Sequence, residues 1–283
     1  MPIKQSTARR TARAAGFHAV SILMSALFVL PLIWMFAASL RQPGLPPPRT
    51  IEWLPSPLMW SNYVRVFQIL PLGRYVLNSL FVAGAAVPVT LITASLAGFA
   101  MAQLSRRGQD RLIILSLILL IIPTTAVWLA RFILFRSLGL FNTHAALIAP
   151  SIMGSSPLFV LLFFWSFRRI PLELYEAARM DGASPLSIWW RVALPLSAST
   201  IVVVSILTFL LYWGDFVTPL FYLKSQTLYT LPVGLRQLQE LDRTNWPLLL
   251  SGSVVMTLPA VLLFAIVQRF FLQENRLTGI YGQ

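Results

Sequence analysis

Few residues of this 283-residue chain have the types and spacing that chemistry needs, and most lie in one polar stretch from Ser166 to Leu196, SFRRIPLELYEAARMDGASPLSIWWRVALPL. In it Glu176 offers a charge to a cationic side chain, Ala177 and Ala178 leave a low surface onto which a partner can close, and Gly182 permits a sharp turn. That is the chemistry of docking, not of bond making. Elsewhere the inventory is thin. The chain has no cysteine, which excludes disulfides, thiolate metal sites and cysteine nucleophiles. His18 and His144 are the only imidazoles; each lies near a predicted helix end, as an interfacial or capping side chain would. There is no paired-carboxylate site, no metal cluster and no Ser/His/Asp arrangement, so no catalytic residue is assigned. Nor is there a GxxxxGK[ST] stretch to cradle nucleotide phosphates. No cofactor is expected on this chain.

Two short helices must carry the docking residues. Pro171 can open the first, with Leu172, Leu174, Tyr175, Ala178 and Met180 forming a mixed apolar face beside Glu173, Glu176, Arg179 and Asp181. Gly182 stops that helix in a left-handed cap position. Ser184 followed by Pro185 is an N-cap with proline at the first helical position, which predicts a second helix to about Ala193, before Pro195. The expected unit is a helix, a turn and a helix lying across a membrane surface.

A membrane follows from composition. The chain is 57% hydrophobic and 11% charged, with a mean hydropathy of +0.74, against about 25% charged residues in an ordinary soluble domain. A bilayer core takes about 20 apolar residues per helix. Apolar runs near 17–40, 76–104, 112–135, 145–167, 198–222 and 248–272 predict an all-α integral membrane protein with six transmembrane helices. The first run is too long for a signal-peptide core and is expected to be a retained span. The organisation is then a cytoplasmic segment 1–16 and a membrane domain 17–283, with an external loop 41–75 rich in proline and a cytoplasmic loop 168–197. A cytoplasmic N-terminus puts Lys4, Arg9, Arg10, Arg13, Arg106, Arg107, Arg111, Arg168, Arg169, Arg179, Arg191, Arg269 and Arg276 inside, 13 of 22 basic residues on the shorter segments, a moderate positive-inside bias. The net charge of +13 is dispersed in such groups and implies no nucleic-acid partner.

Two features bear on packing. Gly84, Ala85, Ala86, Ala94, Ala97, Gly98, Ala100 and Ala102 allow close helix approach and place the second span in the interior. Pro88, Pro123, Pro150, Pro157 and Pro259 interrupt spans, either as kinks in a bundle with moving parts or as tolerated kinks in a static one.

Glu176, Ala177 and Ala178, then three residues, Gly182, nine residues, and Val192, Ala193, Leu194, Pro195 resemble the EAA loop of the permeases of binding-protein-dependent ABC importers. That pattern is EAA, three residues, G, nine residues, I, one residue, LP, and only the isoleucine is changed, to Val192. Weaker matches to the second permease of maltose-type sugar importers are Asn62-Tyr63, Asn78-Ser79-Leu80, Trp213-Gly214-Asp215-Phe216 with Pro219-Leu220, and the closing Leu277 to Gly282. Tyr281 stands where family members often have lysine, which departs from the usual tail. The resemblance implies a type I ABC importer permease-like bundle in a bacterial inner membrane. It implies an ATPase dimer holding ATP and Mg, a second permease forming a heterodimer, an external solute-binding protein, and a sugar or related polyol as solute. By the same resemblance Glu176, Ala177, Ala178, Gly182, Val192, Leu194 and Pro195 dock into a groove of the ATPase and transmit its closure.

Asp215 is the only acidic residue inside a predicted span. With Tyr212 and Trp213 it would give a solute path an acceptor and an aromatic face; the alternative is an interfacial carboxylate in water or paired with a loop arginine. The polar loop from Lys224 to Trp246 meets the binding protein in the resembled family, or is simply solvated. The rival function is an ion-coupled secondary transporter, which needs coupling carboxylates near the midplane and often an internal repeat; this chain has one peripheral aspartate and no repeat.

Overall fold

The computed structural model describes residues 7–44, 50 and 52–278, with side chains over 15–44, 50, 52–123 and 125–268. The expectations for Lys4, for the proline run at 46–48 and for Tyr281 lie outside these residues. Among the described residues all regular structure is helical.

The chain divides into two compact units. The first, residues 1–70 and 237–255, contains α1 (Thr7–Ser39) and α2 (Ser61–Ile69). Helix α2 departs from the expectation of a loop irregular throughout, because no proline lies between Pro57 and Pro71 and the residues between them are free to coil. Buried Asn62 holds α2 to the end of α1, its Nδ2 donating to the carbonyls of Ser39 at 2.9 Å and Arg41 at 2.8 Å. His18 lies well inside α1 and is exposed, not at a helix end, because the helix begins at Thr7.

The second unit, residues 71–236 and 256–283, is built on α3 (Leu72–Ala102). It continues with α4 (Arg106–Ile121), α5 (Trp128–Ser137), α6 (His144–Ile148), α7 (Pro157–Arg168), α8 (Leu172–Met180), α9 (Pro185–Ile188), α10 (Leu194–Leu196), α11 (Ala198–Trp213) and α12 (Val217–Tyr222). Two further helices, α13 (Leu231–Leu241) and α14 (Trp246–Thr278), run from one unit into the other. In place of a plain polar loop, α13 buries Leu231, Val233, Leu235 and Leu238 and exposes Arg236 and Glu240.

Helix α3 packs against α7 and α11 through its small residues, with Ala83, Ala86, Ala94 and Gly98 buried. Gly98 is indispensable to that approach: a Cβ there would stand 2.8 Å from Phe163 Cβ, Phe164 N and Val160 O. Leu77, Phe81, Ala97 and Ala100 of α3 are exposed, so the helix is not interior all round.

Four helices are long and apolar enough to cross a membrane: Ala15–Ser39, Leu72–Ala102, His144–Arg168 and Trp246–Gln268. Two helix pairs pass only together, each bent by 85°. One is α4 with Thr125–Ser137; the other is Pro185–Leu196 with α11. Hydrogen bonds show where these pairs lead. At one end of the second unit, Asn78 Nδ2 donates to the carbonyls of Thr227 and Tyr229, and the backbone N–H groups of Lys224 and Ser225 donate to Asn142 Oδ1. At the other end, Gln109 Nε2 donates to the carbonyls of Ala102 and Leu104, and Arg179 donates to Gln103 Oε1. The segment Arg106–Ser137 therefore carries the chain from the second end to the first, and α11 with α12 does the same. With the four long spans this gives up to six traverses, six if each bent pair is one span. Pro123 sits at the break between α4 and α5, whereas α3 and α14 run unbroken through Pro88 and Pro259.

Candidate functional site

Helix α8 ends in a turn whose bonds are set by Gly182 at φ +76°. Ala183 N–H donates to Ala178 O and Gly182 N–H to Arg179 O, each at 3.0 Å, so carbonyls left over at the helix end are satisfied. Ala178 and Ala183, brought together by this turn, pack onto the core. Ser184 then caps α9, its Oγ accepting from Ser187 N–H at 3.3 Å with Pro185 at the first helical position. The second helix continues past the expected end at Ala193. Trp189–Ala193 widen into a π-turn in which Leu194 N–H bonds back to Trp189 O, and the chain passes through Pro195 to Leu196. A proline removes one amide donor and crowds the carbonyl four residues earlier, and the wider turn accommodates both effects.

The two faces of this segment differ. Glu176 and Ala177 are exposed, as are Leu172, Met180, Leu186 and Pro195. Ala178, expected as open surface, is half-buried, because it is the residue that meets Ala183 behind the turn. Val192 and Leu194 are half-buried against the same core. Behind α8 and α9 lies one cluster containing Phe99 of α3, Phe163 and Phe167 of α7, Tyr175, Ile188, Trp189 and Val204 of α11. Residues 175–194 and the spans thus share a core.

Three side-chain bonds fasten the segment. Tyr175 Oη donates to Phe167 O at 3.1 Å, Arg179 reaches Gln103 at the end of α3, and Trp189 Nε1 donates to Ser95 Oγ at 3.2 Å. Burial pushes the Tyr175 phenol up to about 12, so it stays a neutral donor. None of the three was singled out from sequence as a fastening; a polar residue such as Ser95 in an apolar helix is the signal that could have found one.

The three solute-path residues are not brought onto one surface. Tyr212 and Trp213 are buried, the first bonded to Ser155 Oγ at 3.0 Å and the second donating from Nε1 to Met256 O at 2.9 Å. Asp215 lies not within a helix but in the break between α11 and α12, half-buried, where its Oδ1 accepts from Thr218 N–H at 3.1 Å. Gly214 ends α11, and Asp215 caps the first turn of α12 through that bond. Arg131, a cation not assigned from the sequence, shares a face of α5 with Trp128, Phe132 and Phe135, whose rings contact Phe221 and Tyr222 of α12, the helix that Asp215 precedes. His144 opens α6 and its Nε2 is bonded to Leu228 O at 2.9 Å, a structural duty. No cluster of metal-binding side chains occurs among the described residues.

The described residues form a helical membrane chain with a capped helix–turn–helix fastened to its spans. The chain belongs to the family described as binding-protein-dependent transport system inner membrane component, whose model matches residues 94–276. It is 33% identical to an arabinooligosaccharides transport system permease of Halalkalibacterium halodurans, over 90% of this chain and 91% of that protein. It is 32% identical to a sulfoquinovosyl glycerol transport system permease of Agrobacterium fabrum, over 94% and 93%. A crystal structure of a bacterial ABC transporter involved in the import of the acidic polysaccharide alginate matches with a TM-score of 0.75 at 20% identity, covering 96% of this chain and 100% of that one. The fold is that of a type I ABC importer permease.

Proposed function

We propose that this chain is the pore-forming permease of an ATP-driven importer for a sugar or related polyol, coupled through residues 168–197 to a separate ATPase. The observation that carries this reading is the Gly182 turn, which leaves Glu176 and Ala177 outward on α8 while Tyr175 and Ala178 are packed inward against the spans. A surface so mounted can receive a push and pass it on. The solute class is supported by the relatives, whose names specify arabinooligosaccharides, sulfoquinovosyl glycerol and, in a Mycobacterium tuberculosis protein 29% identical, trehalose. An external binding protein is supported by the alginate transporter, also solved with its alginate-bound periplasmic protein. The ATPase dimer, a second permease as heterodimer partner, and a cytoplasmic N-terminus in a bacterial inner membrane complete the proposal. Asp215 and Arg131 are the proposed charged solute contacts, with Tyr212 and Trp213 as the wall behind them. The relatives lend no support to ion-coupled transport.

Recovery of the ATPase with affinity-tagged permease tests the coupling. A Cβ at Gly182 would meet nothing within 4 Å, so Gly182→Val acts through backbone strain alone, on the order of 1 to 3 kcal/mol. It and Glu176→Lys should each reduce ATPase recovery at normal expression, while Gly182→Asn, which tolerates positive φ, should retain it. Wild-type recovery with both Gly182→Val and Glu176→Lys would leave the segment a mere linker.

A further inference from the structure

The Trp189–Ser95 bond differs from the other two fastenings in depth. Tyr175 and Arg179 reach only helix ends, at Phe167 and Gln103. Ser95 lies eight residues before Gln103, about 12 Å further into α3 at 1.5 Å per residue. Both partners are buried, Trp189 at 6% exposure and Ser95 at 0%, so the bond is shielded from water and Trp189 offers no outer surface to a partner. It also stands between two weak points in the helical hydrogen bonding. On one side is Pro88 of α3, which lacks an amide donor; on the other are the π-turn, Pro195 and the 85° bend into α11. Pro88, Ser95, Trp189 and Pro195 all line one apolar groove of about 480 Å³ that opens to the outside, so there is room beside the bond for these segments to shift.

We propose that Trp189 is a positioning residue that, through its hydrogen bond to Ser95, makes α3 follow the coupling segment when the ATPase closes. This rests on the coupling function proposed above. A displacement of the segment after α9 then reaches about 12 Å inside a membrane span directly, and the proline-weakened part of α3 takes up the motion.

A reporter on α3 beyond Pro88 tests this. Gly84 is exposed, a Cβ there meets nothing within 4 Å, and the chain has no cysteine, so Gly84→Cys can carry a bimane label. The labelled permease is purified with its second permease and ATPase in cysteine-free form, and emission is compared without nucleotide and after trapping with ATP and vanadate. Trp189→Phe and Ser95→Ala should each reduce the emission change about threefold or more, the scale of one lost neutral hydrogen bond, with ATPase recovery unchanged. The double variant should fall no further than either single one. Ser95→Thr should preserve the change, since it keeps the hydroxyl and its added methyl has the groove to enter. An emission change that Glu176→Lys abolishes and Trp189→Phe leaves whole would overturn the Trp189 assignment alone. If Glu176→Lys leaves both ATPase recovery and emission untouched, the coupling function itself fails, and this inference with it.

Discussion

The Tyr175 hydroxyl donates to the backbone carbonyl of Phe167 across 3.1 Å, bonding α8 to the last turn of α7. The same carbonyl also accepts Ile170 N–H at 3.3 Å, so removing the phenol leaves it satisfied. Tyr175→Phe should therefore cost about 0.5 to 1.5 kcal/mol and no more. Thermal unfolding in detergent measures this as a small fall in midpoint.

The titration of Tyr175 gives an independent check. Its folded pKa, about 12, is above the ordinary 10 because burial penalises the phenolate. Stability associated with this group is fully present below pH 10 and is lost as pH rises through about 12. The ultraviolet phenolate difference between wild type and Tyr175→Phe should accordingly appear near pH 12; a transition near 10 would place the ring in water.

Gly98 is the narrowest point between α3 and α7. Because backbone as well as side-chain atoms stand 2.8 Å from an added Cβ, no rotamer change can make room. Gly98→Ala should destabilise the folded chain by about 1 to 3 kcal/mol, read as reduced thermal stability or yield. At Gly84, where the space is open, alanine should be tolerated. Equal behaviour of the two variants would contradict this helix contact.

These glycines mark how far the sequence could be read. A run of small residues announces a closely packed helix, and α3 is one, but Ala94 and Gly98 are buried while Gly84, Ala97 and Ala100 face outward, a division that depends on which neighbours arrive. The EAA spacing was legible because every part of it is local: a proline start, a left-handed glycine, a serine cap. The inward turn of Ala178 was not, since it depends on the position of Ala183 across the turn. Asp215 was misplaced because an apolar run continues through 198–222 although the helix does not; Gly214 ends it. Arg131 carries no local signal in the sequence, since only its neighbours Trp128, Phe132 and Phe135 place it on a packed helix face.

Asp215 and Arg131 permit a test of charge in the solute path. Asp215→Asn retains a carbonyl oxygen able to accept from Thr218 N–H, so the cap survives and only the charge is removed. Uptake of the transported solute should fall with Asp215→Asn and with Arg131→Gln while ATPase recovery stays at the wild-type level. Unchanged uptake in both variants would exclude a pathway role for these charges. Asp215→Ala should in addition lose about 0.5 to 2 kcal/mol with the cap.

The number of membrane crossings can be decided by three single cysteines. Four spans are long and apolar enough by themselves, and the other two crossings depend on helix pairs bent by 85°. If both pairs cross, the chain traverses four times between residue 6 and the coupling turn, and a fifth traverse separates that turn from Thr227. Cysteines at Ser6 and Asp181 should then label from one side of the membrane and a cysteine at Thr227 from the other. If neither pair crosses, Asp181 and Thr227 share a side and Ser6 stands opposite. Asp181 and Thr227 are exposed, which suits them to impermeant reagents better than Ser225, whose N–H and Oγ are both engaged by Asn142. Six crossings are the expected result, because Asn142 and Asn78 gather the loops at 224–229 at the end of the unit opposite Arg179 and Gln103. Inside-out and right-side-out vesicles treated with an impermeant maleimide supply the measurement. Labelling of Asp181 and Thr227 from the same face would reject the six-span topology, and labelling of Ser6 and Asp181 from opposite faces would reject a segment 168–197 on the same side as the N-terminus.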